Sequence, residues 1–339
     1  MKYIKRREFL QCLAAGAGAL AGTWLLGACG RQEIEPSTTP CSSLSRPTAT
    51  QLPPTTIPTT ATPTAAPREH PHLVVARGGE PEELVRGAIA ALGGMRRFVH
   101  SGDDVIVKPN ICVAYHTFEY AATTNPWVVA ELVRLCLDAG ARRVRVMDSP
   151  FGGGPEEAYV RSGIQEQVLA AGGQMEVMAR FKFVPTELPR ALDLHRKEIY
   201  DDVLAADVLI NVPIAKHHSL ARLTLGMKNL MGVITNRPEM HQNLGQRLAD
   251  LTSRVQPHLT VIDAIRVLMD HGPTGGSLDD VHELDTIIAS ADIVAADSHA
   301  ATLFSLRPED LDYVRAGTAM GLGRSDLGNL SIEELVVGA

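Results

Sequence analysis

Val105-Ile106-Val107-Lys108-Pro109-Asn110, then Asn125-Pro126, then Val144-Arg145-Val146-Met147-Asp148 is the stretch that decides the fold. Val105 to Val107 is a short apolar run bounded by turn residues, as expected of a strand buried on both faces. Asn125 offers a cap and Pro126 a pre-set first helical φ. Val128, Leu132, Leu135 and Cys136 then recur on one helical face until Gly140 stops the run. The next apolar run ends in Asp148-Ser149-Pro150. Strand, helix and strand at this spacing predict a parallel crossover unit.

Working outward, the same alternation continues. Strands are predicted over 73–76, 175–178, 208–212, 259–263 and 286–289. Helices are predicted over 81–92, 155–171, 241–255 and 293–306, the first carrying Glu82 and Glu83 early and ending at Gly93-Gly94. There is no internal repeat. The fold class that follows is α/β: a mainly parallel sheet with helices on both faces, in a single globular domain over 71–339.

The preceding residues read differently. Lys5-Arg6-Arg7-Glu8-Phe9-Leu10 is a twin-arginine pair ahead of a weakly apolar run that ends Leu26-Gly27-Ala28-Cys29. Residues 1–28 are therefore expected to be a twin-arginine-type signal peptide, with Cys29 lipidated after cleavage as in a bacterial lipoprotein. The competing reading is an uncleaved membrane helix of about 20 residues. Residues 30–70 hold ten Thr and eight Pro and few large apolar side chains. That composition predicts a disordered, partly extended tether over 29–70. The expected location is the extracytoplasmic side of a membrane in a bacterial cell envelope, and the expected partners are that membrane and the twin-arginine export machinery.

Net charge is −7 over 339 residues, and the first 28 carry +3, leaving −10 for the rest. An acidic domain argues against nucleic acid as a partner. Among the five cysteines there is no CxxC and no iron–sulfur cluster motif. Cys112 and Cys136 are read as two buried thiols rather than a disulfide. GxSxG, HExxH and P-loop patterns are absent, and the Gly152-Gly153-Gly154 and Gly272-Pro273-Thr274-Gly275-Gly276 runs read first as loops.

In open parallel sheets, ligands bind beyond the carboxyl ends of the strands. Lys108, Asn110, Asp148, Asn211, Lys216, His217 and Asp263 all follow predicted strands, Lys228, Asn229 and His241 lie between them, and Asp297 and His299 open the last long helix. Lys108, Asn110, Lys216, Lys228 and Asn229 are candidate anion ligands. Asp148, Asp263 and Asp297 are candidate catalytic carboxylates, and His217, His241 and Asp263 candidate ligands for a divalent metal. Each also has an ordinary structural reading as a cap, turn or core group. Adjacent His217 and His218 point to opposite sides of an extended strand, so at most one faces the site.

Taken in order, several motifs resemble a known family. They are Val107-Lys108-Pro109-Asn110, Thr124-Asn125-Pro126, Asp148-Ser149-Pro150, Ile210-Asn211-Val212-Pro213 with Lys216-His217, the run from Gly226-Met227-Lys228-Asn229 to Gly232, His241, Val261-Ile262-Asp263, Gly272-Pro273 and Asp292 to Asp297. Together, over about residues 100–338, they resemble the domain of unknown function 362 family. The resemblance implies a site at these positions but no reaction. Some relatives carry a ferredoxin-like module, and this sequence departs from that arrangement. Two functional classes stand open: an exported enzyme acting on a small anionic substrate, with or without a metal, and a tethered protein that binds such a ligand without turnover.

Overall fold

The computed structural model describes residues 70–338. The expected signal peptide, Cys29 and nearly all of the tether lie outside them. Twelve strands are present in the described residues: β1 (Leu73–Arg77), β2 (Asp104–Pro109), β3 (Arg143–Val146), β4 (Gln174–Met175), β5 (Phe183–Glu187), β6 (Arg196–Tyr200), β7 (Val208–Val212), β8 (Ile214–His218), β9 (Arg222–Thr224), β10 (Leu259–Leu268), β11 (Val281–Ser290) and β12 (Ile332–Val336). Helices are α1 (Pro81–Ala91), α2 (Pro126–Ala139), α3 (Pro155–Arg161), α4 (Ile164–Ala170), α5 (Asp201–Ala205), α6 (Gly226–Asn229), α7 (Leu244–Thr252), α8 (Ile293–Thr302) and α9 (Asp312–Ala319).

The main sheet runs β12-β1-β11-β10-β7-β2-β3-β4, with β8 pairing on β10 and β9 on β8; β5 and β6 form a separate hairpin. Pairing is parallel from β10 through β7, β2 and β3 to β4, and again between β1 and β12. Along that path β11 alone is reversed, antiparallel to both β10 and β1. The sheet is thus mostly parallel, and the carboxyl ends of β2, β3 and β7 share one rim.

Side-chain alternation along the strands separates two cores. Ile106, Leu209, Ile262 and Ile288 face a layer made by α6, α7, α8 and α9. Val107, Ile210, Val261 and Ala289 face the opposite layer, made by α1, α2, α3 and α4. The local signals act as read at α2: the Asn125 side chain accepts from the Trp127 amide, Pro126 opens the helix and left-handed Gly140 closes it.

Several elements differ from the sequence reading. The helix expected over 155–171 breaks at Ser162-Gly163, because Gly163 sits at φ +76° and starts a new helix, α4. The helix expected from 241 starts at Leu244, since Arg237–Asn243 winds as a 3₁₀ segment with Pro238 near its start. The last long helix ends at Thr302 instead of 306, and Ser305 beyond it has φ +56°. Strands β10 and β11 extend well past their predicted ends and pair with each other as a long hairpin. No helix among the described residues is long and apolar enough to cross a membrane. Cys112 and Cys136 are both buried, free thiols.

Candidate functional site

Lys108 and Asn211 are register neighbours at the carboxyl ends of β2 and β7, and both share the face of Ile106 and Leu209. Above them lies α6, a single turn fixed from two directions. Asp297 of α8 accepts from the Gly226 amide at 2.6 Å and the Met227 amide at 2.9 Å. At the other end, Asn229 Nδ2 donates to Asn211 Oδ1 at 2.9 Å, while Asn229 Oδ1 accepts from Lys108 at 3.1 Å and Asn110 at 2.9 Å. The turn after α6 presses on the same group. A Cβ at Gly232 would lie 2.6 Å from Lys108 Nζ and clash with Asp148 Oδ1, so only glycine permits this approach.

Three lysines meet here, and their hydrogen bonding grades them. Lys108 is fully buried and uses all three ammonium hydrogens, on Asp148 Oδ1 (2.8 Å), Pro109 O (3.0 Å) and Asn229 Oδ1 (3.1 Å). Burial pushes its pKa down and Asp148 opposes the shift. Lys216, from β8, is also buried; it donates to Asn110 Oδ1 (2.9 Å) and Ala122 O (2.6 Å) and stands beside the Cys112 sulfur. Burial pushes its pKa down too, against Cys112 and Asp148. Lys228 is half-buried and its Nζ reaches solvent, with no hydrogen bond or ion pair among the described residues. Burial first, then Lys216 and Arg237, pushes its pKa down to about 8.

The charges do not cancel. Asp148 is committed to Lys108 and to the Ile111 amide (2.7 Å), leaving Lys216, Lys228 and Arg237 without a carboxylate. Arg237 donates to the carbonyls of Ser149 (2.5 Å) and Pro150 (3.4 Å) at the exit of β3. Unpaired cations crowded at the rim of a sheet form a site that favours an anion.

The histidines divide as their alternation requires. His218 is buried, its Nδ1 accepts from the Leu220 and Ala221 amides, and burial with nearby Lys228 and Lys216 lowers its pKa to about 3. His217 accepts from the Gly272 amide at 3.1 Å and lies 3.8 Å from Asp270. His241 is exposed in the 3₁₀ segment, with its pKa pushed down by burial and by Lys228.

The other two candidate carboxylates lie apart from the lysines' hydrogen-bonded group. Asp263 shares the face of Val261 and Ile265, opposite to Lys108, and accepts from the Asn125 amide (2.7 Å) and the Ile265 amide (3.1 Å). Burial raises its pKa to about 6 against those two amides. Asp297 is raised to about 7 by burial, against the Met227 and Gly226 amides that it anchors. His299 faces Arg77 and Glu334, away from the lysines. Among the described residues no group of three His, Cys, Asp or Glu side chains is arranged to hold a metal. A depression of about 650 Å³ beside Asn125, Trp127, Arg266 and Glu283 contains none of the candidate site residues.

The structure therefore gathers Lys108, Asn110, Asp148, Lys216, Lys228 and Asn229 into one site. It adds Arg237, which sequence reasoning missed. Arg237 arrives through tertiary folding of the 3₁₀ segment, and nothing in its local sequence marks it. Cys112 was visible only as a thiol.

The profile of the family described as "Domain of unknown function (DUF362)" matches residues 105–302. The chain is similar to "Thylakoid-associated protein sll1697" of Synechocystis sp., 25% identical over 247 residues that cover 70% of this chain and 74% of that one. Among solved structures it is similar to the lactate racemase apoprotein from Thermoanaerobacterium thermosaccharolyticum, with a TM-score of 0.43 and 12% identity. That match covers 68% of this chain and 57% of the racemase.

Proposed function

The chain belongs to the DUF362 family, and on that premise we propose that it binds a small anionic compound at Lys228 and Arg237, over the buried Lys216 ammonium, and acts on it as an enzyme. The observation that carries the reading is Lys228: a half-buried ammonium with no partner, on a helix turn anchored by Asp297 and Asn229, beside two further cations that have no carboxylate. Holding such a cluster together costs electrostatic free energy that an anion returns on binding. The enzyme reading is favoured over simple capture because the Lys228 amine is unengaged at the tip of an anchored turn, and burial with Lys216 and Arg237 pushes its pKa down to about 8, toward a group that can exchange a proton. Lys108 and Asp148 form the fixed floor.

The test is a thermal-shift screen of the purified chain against phosphate, sulfate and small carboxylates. An anion at one hundred times its Kd should stabilise the chain by about 2.7 kcal/mol, and Lys228→Met should cut that gain to about 0.4–1.4 kcal/mol. A screen without any stabilising anion would sink the reading. A bound ligand recovered unchanged after long incubation would move the assignment to non-catalytic binding.

The same proposal places the domain outside the cytoplasm, tethered through Cys29. Arg6-Arg7 and Leu26-Gly27-Ala28-Cys29 support it, and a relative whose name describes it as thylakoid-associated agrees with a place at a membrane. Wild type should pellet with membranes and Cys29→Ser should be released; equal partitioning of the two would refute lipid anchoring.

A further inference from the structure

We propose that Lys228 is a covalent amine nucleophile, forming an imine with the carbonyl carbon of a small 2-oxo acid whose carboxylate is held by Arg237, with the buried Lys216 ammonium adding positive charge from behind. This inference rests on the anion-binding reading and names the substrate class for that site.

The hydrogen-bond gradient singles out the residue. A lysine that donates all its hydrogens, as Lys108 does, is a structural cation, and one with two acceptors, as Lys216, is nearly so. Lys228 has none, yet its backbone is held at both ends of α6 by Asp297 and Asn229. A fixed backbone with an unengaged amine at its tip suits a nucleophile, because forming the new bond breaks no existing hydrogen bond. The neighbouring cations act twice. After burial, which contributes most, they oppose protonation of Lys228 and help push its pKa down to about 8, and they supply the positive charge that a carboxylate needs.

The chemistry balances without a further reactant. The ammonium gives up a proton, and the amine nitrogen adds to the carbonyl carbon as the C–O π bond opens. The added nitrogen passes one proton to the alkoxide oxygen; the hydroxyl so formed takes up the proton first released and leaves as water while the nitrogen lone pair closes the C=N bond. The net change is an ammonium and a ketone becoming an iminium and water, with charge conserved. The iminium draws electrons from the adjacent carbon, which is what imine catalysis of 2-oxo acids requires.

The experiment incubates the full chain with pyruvate, reduces with borohydride and reads the intact mass and peptide map. One reduced adduct per chain at Lys228, lost in Lys228→Arg and suppressed by excess phosphate, is the expected result. Lys228→Arg keeps the positive charge, and its thermal-shift response to phosphate shows that the variant folds and still holds the anion. Stabilisation by pyruvate or phosphate without any adduct would overturn the imine and leave the anion site standing. Neither adduct nor stabilisation would overturn both. Adducts spread over exposed lysines, unchanged in Lys228→Arg, would also refute the assignment.

Discussion

Asp148→Asn should unfold the floor of the site far more than its near-identical shape suggests. Lys108 is fully buried and Asp148 is only 3% exposed, so neither charge has solvent to fall back on. Both carboxylate oxygens are engaged as acceptors, Oδ1 from Lys108 Nζ at 2.8 Å and Oδ2 from the Ile111 amide at 2.7 Å. An asparagine has one acceptor and one donor, so one of those contacts becomes donor against donor, and the ammonium loses its counter-charge. Breaking a buried pair from one side costs about 3–5 kcal/mol. At roughly 2–4 °C per kcal/mol for a domain approaching this size, the melting temperature should fall by roughly 6–20 °C. Denaturant titration of wild type and variant measures the free-energy difference, with equal m-values as the check that the two states are the same. The double variant Lys108→Met/Asp148→Leu should be less damaged than Asp148→Asn, because it leaves no buried charge unpaired and only the neutral Ile111 amide without its acceptor. A loss below about 1 kcal/mol for Asp148→Asn, the range of an exposed pair, would refute the reasoning. So would a double variant as unstable as the single one.

Lys228 gives a pH signature of defined sign. Its folded pKa of about 8, set by burial, Lys216, Arg237 and Lys108 against Cys112, lies below its ordinary 10.5. Between those values the unfolded chain holds a proton that the folded chain has released, so stability should rise with pH there relative to Lys228→Met. Anion affinity should move the other way and fall as pH passes 8; pH-dependent melts and binding curves read the two slopes, and parallel slopes would contradict the assignment. Gly232→Ala should cost about 1–3 kcal/mol by overpacking onto Lys108 and Asp148, and a melt within error of wild type would show that the turn gives way freely. Asp297→Ala leaves the Gly226 and Met227 amides without their acceptor, at about 1–3 kcal/mol for each group left unsatisfied. Hydrogen exchange at those two amides should accelerate, and unchanged protection would mean that α6 is held by other contacts.

How much of this was legible in the sequence depends on whether the signal was local. The β2–α2–β3 unit was, because Asn125-Pro126 and Gly140 fix a helix's ends by their own chemistry, and the strand-end rule then picked out Lys108, Asn110 and Asp148. The reversal of β11 was not. It depends on β10 and β11 pairing across a long connection with no α-helix, and apolar runs carry no direction. The hairpins β5–β6 and β8–β9, strand β12 and helix α9 were likewise unread, their edges being too mixed to show a period. At the site, residue type identified the lysines but could not grade them. Only the partners seen in three dimensions separate the fully bonded Lys108 from the unpartnered Lys228. The same holds for the carboxylates: Asp148 and Asp263 both end apolar runs, yet alternation sends Asp263 to the α2 face.

The most direct test of the account is calorimetric titration of phosphate and of pyruvate into wild type and Lys228→Met at pH 7 and low salt. Wild type should show one saturable site, weakened by salt and roughly 10- to 100-fold weaker in the variant, the worth of one charge-assisted hydrogen bond. Equal affinity in the two proteins, or no binding of either anion to wild type, would contradict it.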